Sequence, residues 1–240
     1  MIRTAIALTA MMLATAATAQ DTAEEAYVEA NLLSIFYHEL GHALVDVMAL
    51  PVFGQEEDAA DTASILLIDA LFDEDAAQGI ARDAAFGFLD EADAADAEPV
   101  WWDVHGPDEQ RYYNLVCLFF GADPETRDAL ADELQLPEDR AASCEEEFDL
   151  ANDSWGPVFD ELVERGPGDT LMFQSDTASL TTDLIGDEVA ALNAELSLPT
   201  PVTVRVAPCE EANAFYDPEV REITICTELE PHLRQIMAGN

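Results

Sequence analysis

Between residues 24 and 49, apolar side chains recur at intervals of three and four: Leu32, Leu33, Ile35, Phe36, Leu40, Ala43, Leu44 and Val47. That period predicts one amphipathic helix, ended by Leu50-Pro51 with a turn at Gly54. A second helix is expected over about Glu56 to Phe72, and a third, more acidic, over about Asp75 to Asp90. Residues 91–98 hold only alanine and acids and read as a solvated connector. Trp101-Trp102-Asp103-Val104-His105-Gly106-Pro107 then reads as an irregular aromatic loop. A helix from about Asp108 to Phe120 closes at Gly121, and two or three more fill residues 124–165. Gly166-Pro167-Gly168 is the strongest break. Beyond it, Thr170–Phe173, Val202–Val206 and Glu222–Thr227 read as short strands, with a helix of about Thr181 to Leu196 between the first two. Asn213–Pro218 reads as the turn of a hairpin joining the last two. The predicted class is α+β, predominantly helical, with a small late sheet or hairpin. Residues 20–240 are expected to form one domain, with a subdivision point near 166–168.

The first residues change this picture. Met1-Ile2-Arg3, an apolar run from Thr4 to Thr15 and the small triplet Ala17-Thr18-Ala19 make the three-part pattern of a secretory signal peptide. Residues 1–19 are expected to be cleaved before Gln20. The run is too short and too rich in Ala and Thr to span a bilayer comfortably, so no stable membrane insertion is expected after cleavage. A periplasmic or secreted location places Cys117, Cys144, Cys209 and Cys226 in an oxidising space, and their even number implies two disulfides. Of three pairings, Cys117–Cys144 with Cys209–Cys226 is favoured because each closes a modest loop. None of the four has zinc-site spacing.

Charge is extreme: 51 acids against nine arginines and no lysine, a formal net charge of −42. Such a surface repels phosphate backbones and anionic lipid, which disfavours nucleic-acid and membrane-surface partners. Solubility accounts for most of this surplus; attraction for cationic substrates or divalent ions is the sharper reading.

Two of the four histidines stand in His38-Glu39-Leu40-Gly41-His42. On a helix, positions four apart share a face, so both imidazoles can bind one metal ion, and Glu39 can reach a water held there. Catalytic zinc takes three protein ligands and keeps one position open. The acids that open the next helix, after a short turn, are the nearest source of the third. Glu57 is the first choice, with Asp61 on the same face accepting the free N–H of a ligand histidine. Glu56 or Asp61 are the alternatives for that ligand. The metzincin pattern is excluded, because Val45 and Met48 stand where a glycine and a third histidine would be. His105, two residues after Asp103, is the first candidate for a further donor at the site, followed by Tyr112, Tyr113, Arg111 and Tyr216. His232 is expected on an exposed C-terminal helix, and Trp101, Trp102 and Trp155 as core or interface aromatics.

The segments FYHELGHALVD, GQEEDAAD, QRYYNLVCLFFG and CEEANAFYDPEVREITICTEL resemble a bacterial family of metallopeptidases catalogued as a domain of unknown function, over about residues 27–230. The motifs also resemble the wider gluzincin group with its E-x-x-x-D pattern. The resemblance implies a zincin-like core, Zn²⁺ held by His38, His42 and Glu57, Glu39 as general base, and Asp61 as the orienting carboxylate. It also implies a peptide or protein substrate. No tyrosine lies between His42 and Glu57, where thermolysin-like enzymes carry one. That absence leaves a second reading, a zinc-binding or interaction protein without turnover.

Overall fold

The computed structural model describes the backbone of residues 3–95 and 99–239 and the side chains of 22–92 and 99–238. The side chains of residues 1–19, the expected leader, lie outside the described residues, as do residues 96–98 of the expected connector. Helix α1 (Arg3–Val47) is the axis of the fold. Val28, Leu32, Phe36, Tyr37, Ala43 and Leu44 along it are fully buried. Around it pack α2 (Glu56–Leu71), α3 (Glu74–Ala95) and, late in the chain, α8 (Leu180–Glu195), α9 (Leu229–Gly239) and the sheet. Burial on all sides explains why polar Asn31, His38 and Glu39 are also withdrawn from water. Buried polar groups of this kind need partners, and here they find them.

Helix α4 (Asp108–Ala122) lies against α2, α3 and α7 (Cys144–Glu164), with α5 (Pro124–Glu133) and α6 (Glu138–Ala141) between α4 and α7 in the chain. The Cys117–Cys144 disulfide ties α4 to the start of α7. Arg127, almost fully buried, joins three elements: it pairs with Asp69 and Glu74 and donates to the Phe119 carbonyl. After α7, Gly166 turns the chain with a left-handed φ of 76°.

The sheet has the order β1-β2-β4-β3, built from β1 (Leu171–Ser175), β2 (Val202–Ala207), β3 (Ala214–Asp217) and β4 (Glu222–Cys226). β1 and β4 both run parallel to β2, and α8 (Leu180–Glu195) makes the crossover from β1 to β2. Val202, Val204 and Val206 alternate inward on β2, as the period of two requires. Helix α9 (Leu229–Gly239) closes the chain against α1 and α3.

Three expectations are corrected. The segment Asn213–Pro218 is not a turn between two antiparallel strands; its centre is edge strand β3, and the antiparallel hairpin is β3 with β4. The Cys209–Cys226 disulfide therefore ties the loop after β2 to the end of β4. Helix α3 continues to Ala95 through much of the supposed connector, because alanine and glutamate sustain a helix that packing has nucleated. Trp101 and Trp102 are 75% and 86% exposed rather than core residues, whereas Trp155 is buried and stacks on Phe159.

Among the described residues no helix is long and apolar enough to cross a membrane.

Gly121 is the tightest point of the α4–α7 contact. A Cβ there would stand 2.1 Å from the Cys144 carbonyl oxygen, and the disulfide prevents α7 from retreating. Gly121→Ala should therefore destabilise the protein by about 2–3 kcal/mol. Gly79→Ala, in α3 with open space around it, should instead add about 0.5 kcal/mol through helix propensity. Urea unfolding followed by circular dichroism measures both; equal midpoints would contradict this packing.

Candidate metal centre

The site begins with how closely α2 approaches α1. Gly41 has no side chain to hold α2 away, and a Cβ on it would lie 2.9 Å from Ala60 Cα. The face of α1 carrying His38 and His42 thus meets the first turns of α2, which open with Glu56, Glu57 and Asp58. Carboxylates are favoured at a helix N-terminus by the unpaired N–H groups there.

The resulting geometry is convergent. His38 Nε2 and His42 Nε2 are 3.2 Å apart, and each is 3.2 Å from Glu57 Oε2. Each imidazole is held from behind by a carboxylate at Nδ1: His38 by Asp61 at 2.7 Å, His42 by Glu56 at 2.9 Å. Asp61 is gripped in turn by Arg111, whose Nε and Nη2 each donate at 2.9 Å. A third imidazole arrives from the aromatic loop, with His105 Nε2 3.0 Å from the same Glu57 oxygen and Nδ1 3.2 Å from Asp103. His38, His42 and Glu57 offer ligand atoms all within 4.8 Å of one another. The set is two nitrogens and one oxygen, with both ring orientations fixed, which suits a divalent metal of zinc type.

The charges follow from this crowding. Burial disfavours a charged His38, but the hydrogen bonds to Asp61 and Glu57 outweigh it and push the ring up to about 9. Hydrogen bonds from His105, His38 and His42 hold Glu57 far below the usual carboxylate range. Burial would raise Asp61, yet Arg111 and His38 keep it low. Glu39 moves the other way: burial lifts its carboxyl, the neighbouring histidines limit the rise, and the Tyr216 backbone N–H adds a hydrogen bond.

The cluster opens into a cleft of about 680 Å³. Glu39, Asp46, Val104 and His105 line it together with residues 213–216 of β3 and its approach. A separate hollow of about 350 Å³ behind Asp61, between α2, α4 and α7, is lined by none of the three converging histidines.

A family described as "Putative metallopeptidase" matches residues 3–158 and 172–240. The chain belongs to that family. No curated protein and no solved structure matches it.

Within this metallopeptidase-type family chain, the structure brings together His38, Glu39, His42, Glu57 and Asp61, and it brings His105 to them. The other candidates are engaged by other partners. Tyr112 is buried and donates to the Leu134 carbonyl at 2.6 Å, and Tyr113 packs edge-on against it. Tyr216 lines the cleft, with its hydroxyl given to Asp46 at 2.7 Å. Arg111 serves Asp61. His232 pairs with Glu91 at 2.7 Å, away from the cluster. Cys209, Cys226 and Glu228 lie close enough to suggest a second cation site, but the two sulfurs are spent on each other, and Glu228 accepts the N–H groups of Cys209 and Glu210. Sequence reading passed over Glu56 as the partner of His42. A carboxylate beside the ligand candidate was visible, but its direction was not.

Asp61 is the hinge of this arrangement, since it serves both His38 and a guanidinium that is only 16% exposed. Asp61→Ala should cost about 3 kcal/mol by leaving that charge unpaired. Replacing both partners, as Asp61→Leu with Arg111→Met, should recover much of the loss. Chemical denaturation of the three proteins decides it; a double variant no more stable than Asp61→Ala would refute the pairing argument.

Proposed function

We propose that the protein is an exported zinc-dependent peptidase. The observation that carries this reading is the convergence of His38 Nε2, His42 Nε2 and Glu57 Oε2 at 3.2 Å spacing on the floor of an open cleft. Those three side chains would be the metal ligands. A zinc ion held there supplies Lewis acidity and lowers the pKa of its water to about 7.

The chain's own residues do the remaining work. Glu39 takes the proton of the attacking water and returns it to the departing amine. Its burial, which raises the carboxyl, suits it to that exchange. His105, whose Nε2 lies 3.0 Å from Glu57, donates to the substrate oxygen that gains negative charge. It does the work that a tyrosine after His42 would do in thermolysin-like enzymes. Asp61 and Glu56 keep the two ligand rings from turning. Strand β3, paired only with β4 among the described residues, presents its free edge to the cleft, where an extended peptide can add as a further strand. The two disulfides and the leader-like first nineteen residues support an oxidising location outside the cytoplasm.

Purified mature protein should carry one zinc per chain by elemental analysis, and Glu57→Ala should lose most of it. Glu39→Gln should keep its zinc while peptide cleavage falls by about 10²–10⁴-fold. Undiminished cleavage by a zinc-loaded Glu39→Gln would overturn the assigned base, and zinc retention with no cleavage of any peptide by wild type would favour a binding role. N-terminal sequencing of the exported protein should begin at Gln20; an intact Met1 would remove the export reading.

A further inference from the structure

The metal cleft continues past Glu39 into a second hollow of about 270 Å³. His38, Glu39, His105, Asn213 and Ala214 line both spaces, so the two form one channel running beside the start of β3. A peptide lying along that strand with its reacting carbonyl at the cluster would direct a neighbouring side chain into the hollow.

The lining of the hollow combines apolar walls, carboxylates and the nitrogen-bearing side chains of His38, His105 and Arg111. Ile35 of α1, Phe88 of α3 and Leu229 and Leu233 of α9 make apolar walls. The floor stays low because α3 has Gly87 there, where a Cβ would fall 1.9 Å from Asn31 Oδ1. Two carboxylates, Glu91 and Asp108, stand at the rim, 43% and 37% exposed. The nearest guanidinium nitrogen to Asp108 is Arg111 Nη1 at 3.8 Å. Arg111 is otherwise committed to Asp61 through Nε and Nη2, so its charge is already matched. Asp108 therefore shares Arg111 with Asp61; burial lifts its carboxyl, Arg111 acts against that lift and Glu91 adds to it, while Glu91 itself is paired with His232 Nε2 at 2.7 Å.

We infer that this hollow receives a lysine or arginine side chain of the peptide substrate. The apolar walls take the methylene stem, and Glu91 and Asp108 take the charged end. This assignment rests on the peptidase reading above. A purely apolar side chain would cover the two carboxylates and give nothing back for their lost water, and an acidic one would be repelled. The surplus of 51 acids over nine arginines acts in the same direction by drawing cationic peptides toward the cleft.

The test uses a peptide series with lysine, arginine, norleucine or glutamate at one position beside the bond cleaved. Two readings are taken: cleavage by the zinc-loaded wild type, and equilibrium binding to zinc-loaded Glu39→Gln. Lysine and arginine peptides should exceed norleucine by about tenfold or more in kcat/KM and in affinity. The double variant Glu91→Gln, Asp108→Asn should shrink that ratio to about twofold. Its melting curve confirms folding, and Asp108→Asn alone serves if the double variant is unstable. Cleavage with no basic preference, or a preference unmoved in the variants, overturns the pocket and leaves the peptidase reading intact. A zinc-loaded wild type that neither binds nor cleaves any member overturns both.

Discussion

The Gly41–Ala60 contact sets the distance between α1 and α2, and everything at the cleft depends on that distance. Two helices carrying ordinary side chains at their crossing would stand further apart. The imidazoles of α1 could then not share one carboxylate oxygen from α2. With Gly41 at the crossing, the Ala60 backbone comes within van der Waals reach, and Glu57, three residues earlier, falls on the axis between His38 and His42. Asp61, one residue later, lands behind His38. A single close packing thus gives Glu57 and Asp61, four residues apart on one helix, two different tasks.

Acids elsewhere in the site follow one arrangement. His38, His42 and His105 each meet a carboxylate at Nδ1, from Asp61, Glu56 and Asp103, and each turns Nε2 toward Glu57. In so acidic a chain a carboxylate near a histidine is unremarkable, but the same ring nitrogen is engaged in all three. That repetition orients the free nitrogens inward, with the carboxylate of His105 supplied by Asp103 of its own loop. The scarce arginines are placed with similar effect: Arg111 and Arg127 are withdrawn from water and bind carboxylates from separate helices.

The sheet contributes to the site through its edge alone. β1, β2 and β4 form the parallel part of the small sheet, and β3 is added antiparallel at the border opposite β1, where it meets α1 and lines the cleft. Hairpin β3–β4 is thereby the part of the sheet nearest the chemistry, and the Cys209–Cys226 disulfide ties its far strand to the segment after β2.

Patterns with a short repeat were legible in the sequence. Apolar spacing located α2, α4 and α8 and the end of α1 to within a few residues, though not the start of α1 at Arg3, and the four-residue interval placed His38 with His42 and Glu57 with Asp61 on common helix faces. The local disulfide pairs were also readable, because short loops close cheaply. Strand partners were not, since alternation marks a strand without naming its neighbour; β2 and β4 proved parallel, and a supposed turn proved to be β3. Nor could residues 91–95 be told from a connector, because alanine and glutamate suit solvent and helix equally until α3 packs. Which of Glu56, Glu57 and Asp61 faces the imidazoles, where Arg111 spends its hydrogen bonds, and that His105 crosses from a loop to meet them were decided only by tertiary structure. Each is a matter of rotation and distance between elements far apart in the chain, and a one-dimensional pattern records the face of a helix but not what that face is turned toward.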